Sequence, residues 1–334
     1  MKKSILILFF SIFYFENLLA ETLSEALNQA YKNNPELNAE RENIKVSEED
    51  LKISRSEFLP SVTLSGSKSE EDTEKLTDRS GNNSAITDVN PKTTSITIEQ
   101  KLFQGLGGVA DLQKNKIGLI LAKAELLKTE QEILYKAIEA YTGLILAKEK
   151  LDINKQNLNL LERQVETDQA RLEKGKIKVA DVAQSESSLA GANAKFIEAT
   201  NQEITAKLVY EKVIGPIKDM NSLSKNFNIN FKIPGTLNEA IQISKNNNPE
   251  LIIAKLEYEQ SEKDVIIARS DLSPSATLSL ESSKTDDLSS TYDERDKETI
   301  KATLSWPIFK GGKNTASLNR SKNLKNRQKL LFDN

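Results

Sequence analysis

The chain has 334 residues and a net charge of −3, and its cationic and anionic side chains nearly balance, so there is no electrostatic footprint for nucleic acid. It has no cysteine and no histidine, which excludes disulfides and thiol chemistry and removes the commonest general base and the commonest metal ligand. A hydrophobic content of 38% with 6% aromatics is lean for compact cores, whereas 28% charged residues suits long solvated helices.

Residues 1–20, MKKSILILFFSIFYFENLLA, read as a secretory signal peptide. Lys2 and Lys3 form the basic start, Ile5 to Phe15 the apolar stretch, and Ala20 the cleavage residue. That stretch is too short to span a bilayer as a helix. An N-terminal anchor is the other reading. No later stretch is apolar enough for a transmembrane helix, so an exported chain is periplasmic, secreted or part of an outer-membrane β-barrel.

The mature sequence opens with TLSEALNQAYKNNPEL, Thr22 to Leu37, and repeats it as TLNEAIQISKNNNPEL, Thr236 to Leu251. The match runs without a gap to Pro60-Ser61-Val62-Thr63-Leu64-Ser65 against Pro274-Ser275-Ala276-Thr277-Leu278-Ser279, and nearly half of the positions agree. This is a duplication rather than a short solenoid period. In each copy a Thr with Glu three residues later predicts a capping box, at Thr22/Glu25 and Thr236/Glu239. An Asn run then ends the first helix, and Pro35 or Pro249 opens a second. The helical pairs are expected over 22–58 and 236–272, stopped by Pro60 and Pro274.

After each proline the period becomes two, predicting strands over about 61–103 and 275–309. Ile96, Ile98 and Leu102 fall on one side, and Thr97, Glu99 and Lys101 on the other. In the second copy Ile300, Ala302, Leu304 and Trp306 alternate with Lys301, Thr303 and Ser305, and Leu278 lies on the strand before them. The polar segments between, about 70–91 and 284–297, read as extended hairpin loops. Four such strands per chain offer no second sheet to bury the apolar side. A barrel in lipid must close, and bacterial examples have at least about eight strands. Three chains would supply twelve. The aliphatic residues and Trp306 would then face lipid, and the Thr, Glu and Lys residues the lumen. The plain alternative is a soluble four-stranded sheet packed on the helices.

A helical hairpin is expected over about 106–214. From Val109 to Lys174 there is no proline, and Ile117, Leu121, Ala124, Leu127, Leu134, Ile138, Tyr141 and Ile145 recur at helical spacing. Some 65 residues make a helix about 100 Å long, suited to coiled-coil packing. Gly175 is a natural stop, and Asp181 with Gln184 can cap the returning helix. Small residues at Ala183, Ser187, Ala190, Ala194 and Ala199 suggest close packing in a larger assembly. Residues 216–235 read as a linker, and 236–334 as a second, incomplete repeat.

These residues carry a family likeness. The TLxEAxxxAxxxNPEL opening, the Leu59-Pro60-Ser61 junction, the LFxG turn at Leu102 to Gly105, the tip RLEKGKIKVADVAQSESSLA from Arg171 to Ala190, and the duplication itself resemble the TolC family of outer-membrane efflux proteins. The resemblance implies an α+β membrane protein of two structural repeats. Each chain would give four amphipathic strands to a trimeric twelve-stranded outer-membrane β-barrel, and helical hairpins to a long coiled-coil barrel across the periplasm. It implies a homotrimeric passive conduit with no cofactor, docking a periplasmic adaptor and an inner-membrane ABC or proton-driven transporter, for drug efflux or type I protein secretion. By position, Asp181 matches an acidic residue that constricts the periplasmic gate, and Gly175, Val179, Ala180 and Val182 match the adaptor-contacting tip. A helix cap and a tight turn account for Asp181 and Gly175 equally well.

One departure stands out. By analogy with the first copy, a second hairpin should follow Gly311-Gly312, yet the sequence stops at Asn334. It reads as a fragment whose last helix should be unpaired, with the gate's partner residues in the missing part. Two other classes compete with the channel. Periplasmic adaptors also carry helical hairpins, but between halves of a small β domain. A secreted glycosidase would need paired carboxylates, and the acids here lie on periodic helix faces or in loops.

Overall fold

The computed structural model describes residues 22–333 apart from 74–75, 78, 85–86, 218, 221–222, 226–232 and 290–291. The signal peptide and much of the linker therefore lie outside the described residues. The described chain forms two compact units, one within Met1–Ala39 and Thr129–Ile233, the other within Glu40–Lys128 and Pro234–Asn334. Neither corresponds to one half of the duplication.

The first helices form where the caps place them. α1 spans Leu23–Asn33 and α2 spans Pro35–Ser56. Thr22 Oγ1 accepts from the Glu25 N–H at 3.2 Å, and Glu25 returns the bond by accepting from the Thr22 N–H at 2.8 Å. Two orphan donors of the helix start are thereby satisfied. Asn34 then caps α2, its Oδ1 accepting from the Glu36 N–H at 2.9 Å.

The long helix α3 runs from Gly107 to Glu173, and α4 returns from Val179 to Val213. In the first unit α1, the distal part of α3 and α4 share a core of Leu23, Ala26, Ala30, Ala137, Ala140, Tyr141, Leu144, Tyr210 and Ile214. Its alanines let the helices approach closely, and Tyr141 and Tyr210 fill the remaining space with ring centroids 6.4 Å apart. The following segment is tied to α3: Tyr141 Oη donates to the Ser224 carbonyl at 2.9 Å, and Lys148 Nζ to that of Met220 at 3.1 Å. On α4, Val182, Ala192 and Ala199 are buried within the chain, while Ala183, Ser187, Ala190 and Ala194 are exposed on it.

In the second unit the sheet is antiparallel. β1 is Ser61–Lys68 and β6 is Lys92–Gln104, joined by a ribbon of β2 (Glu71–Thr73) paired with β5 (Thr87–Val89) and β3 (Leu76–Thr77) paired with β4 (Asn83–Ser84). The expected loop is thus laddered over part of its length. α5 spans Leu237–Asn247, α6 Pro249–Ser270, β7 Ser275–Asp286, β8 Glu294–Ser305 and α7 Lys313–Asp333. The main sheet has the order β1-β6-β7-β8.

The second copy departs from the first in three ways. Thr236 accepts from the Glu239 N–H at 3.2 Å, but the Glu239 carboxylate accepts from the Gly235 N–H instead, so its box is only half formed. α5 buries none of its residues, whereas α1 buries Leu23, Ala26 and Ala30 in the core it shares with α3 and α4. The last helix is not unpaired. α7 packs on α6, where Tyr258 and Phe332 stack at 6.5 Å, and Asn314 Nδ2 donates to the Asp271 carbonyl at 2.6 Å.

Candidate functional site

Two features could carry function: the faces of the sheet and the tip of the α3–α4 hairpin. The strand register sorts the sheet's side chains, because directly opposed residues share a face. Val62 stands opposite Ile98, and Leu64 opposite Ile96. Ile98 faces Leu280, which faces Ile300, and Ala276 faces Leu304. One face therefore collects Val62, Leu64, Ile96, Ile98, Leu278, Leu280, Ile300 and Leu304. The other collects Ser61, Thr63, Thr97, Glu99, Lys101, Thr277, Ser279, Lys301 and Thr303.

Two sequence expectations fail on this sheet. The register slips between Lys101 and Phe103, so Phe103 rather than Leu102 stands opposite Ala276. Leu102 falls in the bulge, and Phe103 joins the apolar face in its place. Trp306 lies one residue past the end of β8, where Pro307 removes the next backbone donor. Its Nε1–H donates to the Leu272 carbonyl at 3.1 Å, so it anchors the strand end to the turn after α6.

The apolar face is open. Leu64 is 72% exposed, Ile300 78% and Leu304 75%. Both outer edges of the sheet, on β1 and β8, lack a partner strand among the described residues. No described helix is long and apolar enough to cross a membrane. The turn from β6 into α3 lies close against the turn between α6 and β7. Gly105 has φ +58, and a Cβ there would lie 2.5 Å from that of Ser273, so the LFxG glycine serves both a left-handed turn and a close approach.

At the hairpin tip, the Lys176 N–H reaches the Arg171 carbonyl at 2.9 Å and the Gly175 N–H that of Leu172 at 2.8 Å. With Gly175 at φ +66 this is a Schellman stop. The returning helix is capped differently from expectation. Lys178 is the N-cap and Asp181 is at N3, its Oδ2 accepting from the Lys178 N–H at 2.9 Å. Gln184 takes no part in that cap. Val179 is 71% exposed, and Ala180 and Asp181 are exposed too. Val182 is buried, at 7%, and is not part of the outward surface.

Behind the tip lies a polar clamp that the sequence reading missed. Asp168 on α3 is buried at 6%. Its carboxylate accepts from Ser185 Oγ of α4 at 2.6 Å and from Gln164 Nε2 at 2.7 Å, with Arg171 at 3.6 Å. The hydrogen bonds from Ser185 and Gln164, and then the Arg171 charge, hold its carboxyl below the usual range, while burial opposes them. The available signal was positional: Asp168 lies between Val165 and Leu172 at the spacing of an apolar seam. A folded pKa below the unfolded value of about 3.9 means that the ionised clamp stabilises the hairpin fully above that value. The contribution is lost as pH falls through the folded value. Tip hydrogen exchange, corrected for intrinsic rates, should therefore be constant from about pH 5 to 8 and rise below about pH 4. Asp168→Ala should show the raised exchange at every pH.

The model of the family described as outer membrane efflux protein matches residues 26–215 and 240–330. The chain belongs to that family. The outer membrane efflux protein BepC of Brucella suis is 26% identical over 305 residues, covering 91% of this chain and 64% of BepC. The alkaline protease secretion protein AprF of Pseudomonas aeruginosa is 23% identical over 309 residues, covering 90% of this chain and 64% of AprF. This efflux-family chain thus spans a little under two thirds of the length of either relative. Among solved structures, the CmeC outer membrane channel of Campylobacter jejuni shares its fold with a TM-score of 0.80 at 17% identity, over 93% of this chain and 66% of CmeC. The family match leaves the adaptor reading without support.

Proposed function

We propose that this chain is the outer-membrane channel subunit of an export system. Three copies pool their strands into a twelve-stranded barrel, with the Val62/Ile98/Leu280/Ile300 face toward lipid and the Thr97/Glu99/Lys301 face toward the lumen. The helices extend the conduit into the periplasm. The channel is passive: it has no catalytic role and needs no cofactor. It docks a periplasmic adaptor at the exposed tip residues Val179 and Ala180, with Gly175 shaping the turn, and through that adaptor an inner-membrane ABC or proton-driven transporter. Asp181, exposed at the start of α4, constricts the periplasmic end.

The observation that carries this reading is the open sheet. A face of large aliphatic side chains, left in water along two unpaired edges, is an aggregation hazard for a soluble protein. Closure into a lipid-facing barrel removes both the edges and the exposed face. BepC and AprF bear names for efflux and for protease secretion, and either cargo class suits a conduit of this kind.

The test is fractionation and gel mobility. The mature protein should be in the outer membrane, running as a trimer that heat converts to monomer, and deleting its gene should reduce export of a drug or a secreted protein. A soluble periplasmic monomer would overturn the reading.

A further inference from the structure

In the second unit the helices continue the order of the strands. α2 leads into β1, β6 into α3, α6 into β7 and β8 into α7, so the sheet order β1-β6-β7-β8 is continued as α2, α3, α6, α7. Each step of that row has its contacts. Ser54 of α2 donates to Asp111 of α3 at 2.5 Å, and α6 packs on α7. The middle step is ionic: Lys114 Nζ of α3 lies 2.7 Å from Asp264 of α6, and Lys128 Nζ lies 3.0 Å from Glu250.

The duplication supplies a counterpart for the first of these pairs. Asp264 aligns with Asp50 of α2 in the same ungapped register that sets Thr236 against Thr22. Lys114 aligns with Arg320 of α7 in the register that sets Phe103-Gln104-Gly105 against Phe309-Lys310-Gly311. So α7 is to α2 as α3 is to α6. Within one chain, however, Asp50 and Arg320 sit on the two outermost helices of the row, with α3 and α6 between them. Both are exposed, and neither has an ion-pair partner among the described residues.

We propose that Arg320 of one copy pairs with Asp50 of the next, repeating between chains the Lys114–Asp264 contact made within one. The proposal rests on the trimeric reading above and names the contact that closes its helical wall. The surrounding charge favours the same partner. α7 carries Lys313, Lys322, Lys325, Arg327 and Lys329 besides Arg320, against Asp333 alone. On α2, Lys45 and Lys52 are already bonded to Glu42 and Glu49 at 2.7 Å each, which leaves Glu48 and Asp50 as the excess charge near the middle of the helix. Arg320 and Arg327 are one heptad apart and share a side of α7. The same cyclic step sets β8 of one copy beside β1 of the next, so the ionic seam continues the pairing of the two open sheet edges.

The chain contains no cysteine, so Asp50→Cys combined with Arg320→Cys introduces the only thiols. In protein extracted from the outer membrane, a short bismaleimide should join copies into covalent species up to the trimer, and neither single-cysteine variant should be joined. Asp50→Arg alone or Arg320→Asp alone should weaken association about tenfold, and the combined swap should restore it. Native mass spectrometry should show wild-type trimers loosening as salt rises from about 0.1 M to about 1 M, where the screening length falls from about 10 Å to about 3 Å. Trimers that stay unlinked and indifferent to charge reversal overturn the seam while leaving the trimer intact, as does bound lipid on α7 without cross-links. A chain that remains monomeric overturns both.

Discussion

Replacing Tyr141 by Ala is expected to destabilise the first unit by about 4 kcal/mol, in the range for deleting a fully buried aromatic ring. Tyr141 is completely buried, and so are Ala26, Ala30 and Ala137 beside it. Alanine neighbours cannot swing a side chain into the space a lost ring leaves, so the cavity stays open and the cost is near the upper end. Tyr141→Phe isolates the hydroxyl. It should cost about 1 kcal/mol by removing the hydrogen bond that the hydroxyl donates to the Ser224 carbonyl. Tyr210→Ala should cost nearly as much as Tyr141→Ala. The double variant should fall short of the sum, because the two rings share one contact. Circular dichroism during thermal unfolding would read all four variants. A Tyr141→Ala protein that melts with the wild type would mean that α1, α3 and α4 are not held by this core.

What the sequence disclosed and what it withheld divide along a physical line. Caps, proline boundaries and strand alternation depend on neighbours a few residues away, so Thr22, Asn34, Pro35, Gly175 and the period-two runs were legible. Features set by a distant partner were not. The bulge at Leu102 exists because β6 must fit β7 at Ala276 and Thr277, and nothing within KLFQG announces it. Trp306 continues the alternation by count, but a proline beside it and the Leu272 carbonyl take it out of the strand. Val182 matches the tip motif by position, but the first turn of α4 rotates it inward, where it is buried. The clamp at Asp168 joins residues on two helices, and only its place on an apolar seam hinted at it. The pairing of α7 with α6 is likewise set by a partner more than fifty residues away, where Tyr258 meets Phe332.

Replacing Leu280 by Arg is expected to abolish assembly in the outer membrane, while Ser279→Arg, one residue away, is expected to be tolerated. Leu280 lies in the middle of the apolar face, opposite Ile98 and Ile300. Ser279 lies on the other face, opposite Glu99 and Lys301. In a lipid-facing barrel an Arg near the bilayer midplane costs about 2–4 kcal/mol. A trimer carries the change three times, so the total rivals the stability of an ordinary domain, about 5–15 kcal/mol. The lumen is aqueous, and there an added Arg between Glu99 and Lys301 meets one charge of each sign and water. Leu280→Arg should therefore disappear from the heat-dissociable trimer band and from the outer-membrane fraction. Ser279→Arg should remain in both and alter ion selectivity in a planar bilayer. A soluble sheet makes a different prediction, since neither variant would then change its compartment. A barrel with its faces reversed would exchange the two results. The pair of substitutions thus separates lipid-facing, lumen-facing and soluble placements of the same four strands, using two positions that differ only in which side of the pleat they occupy.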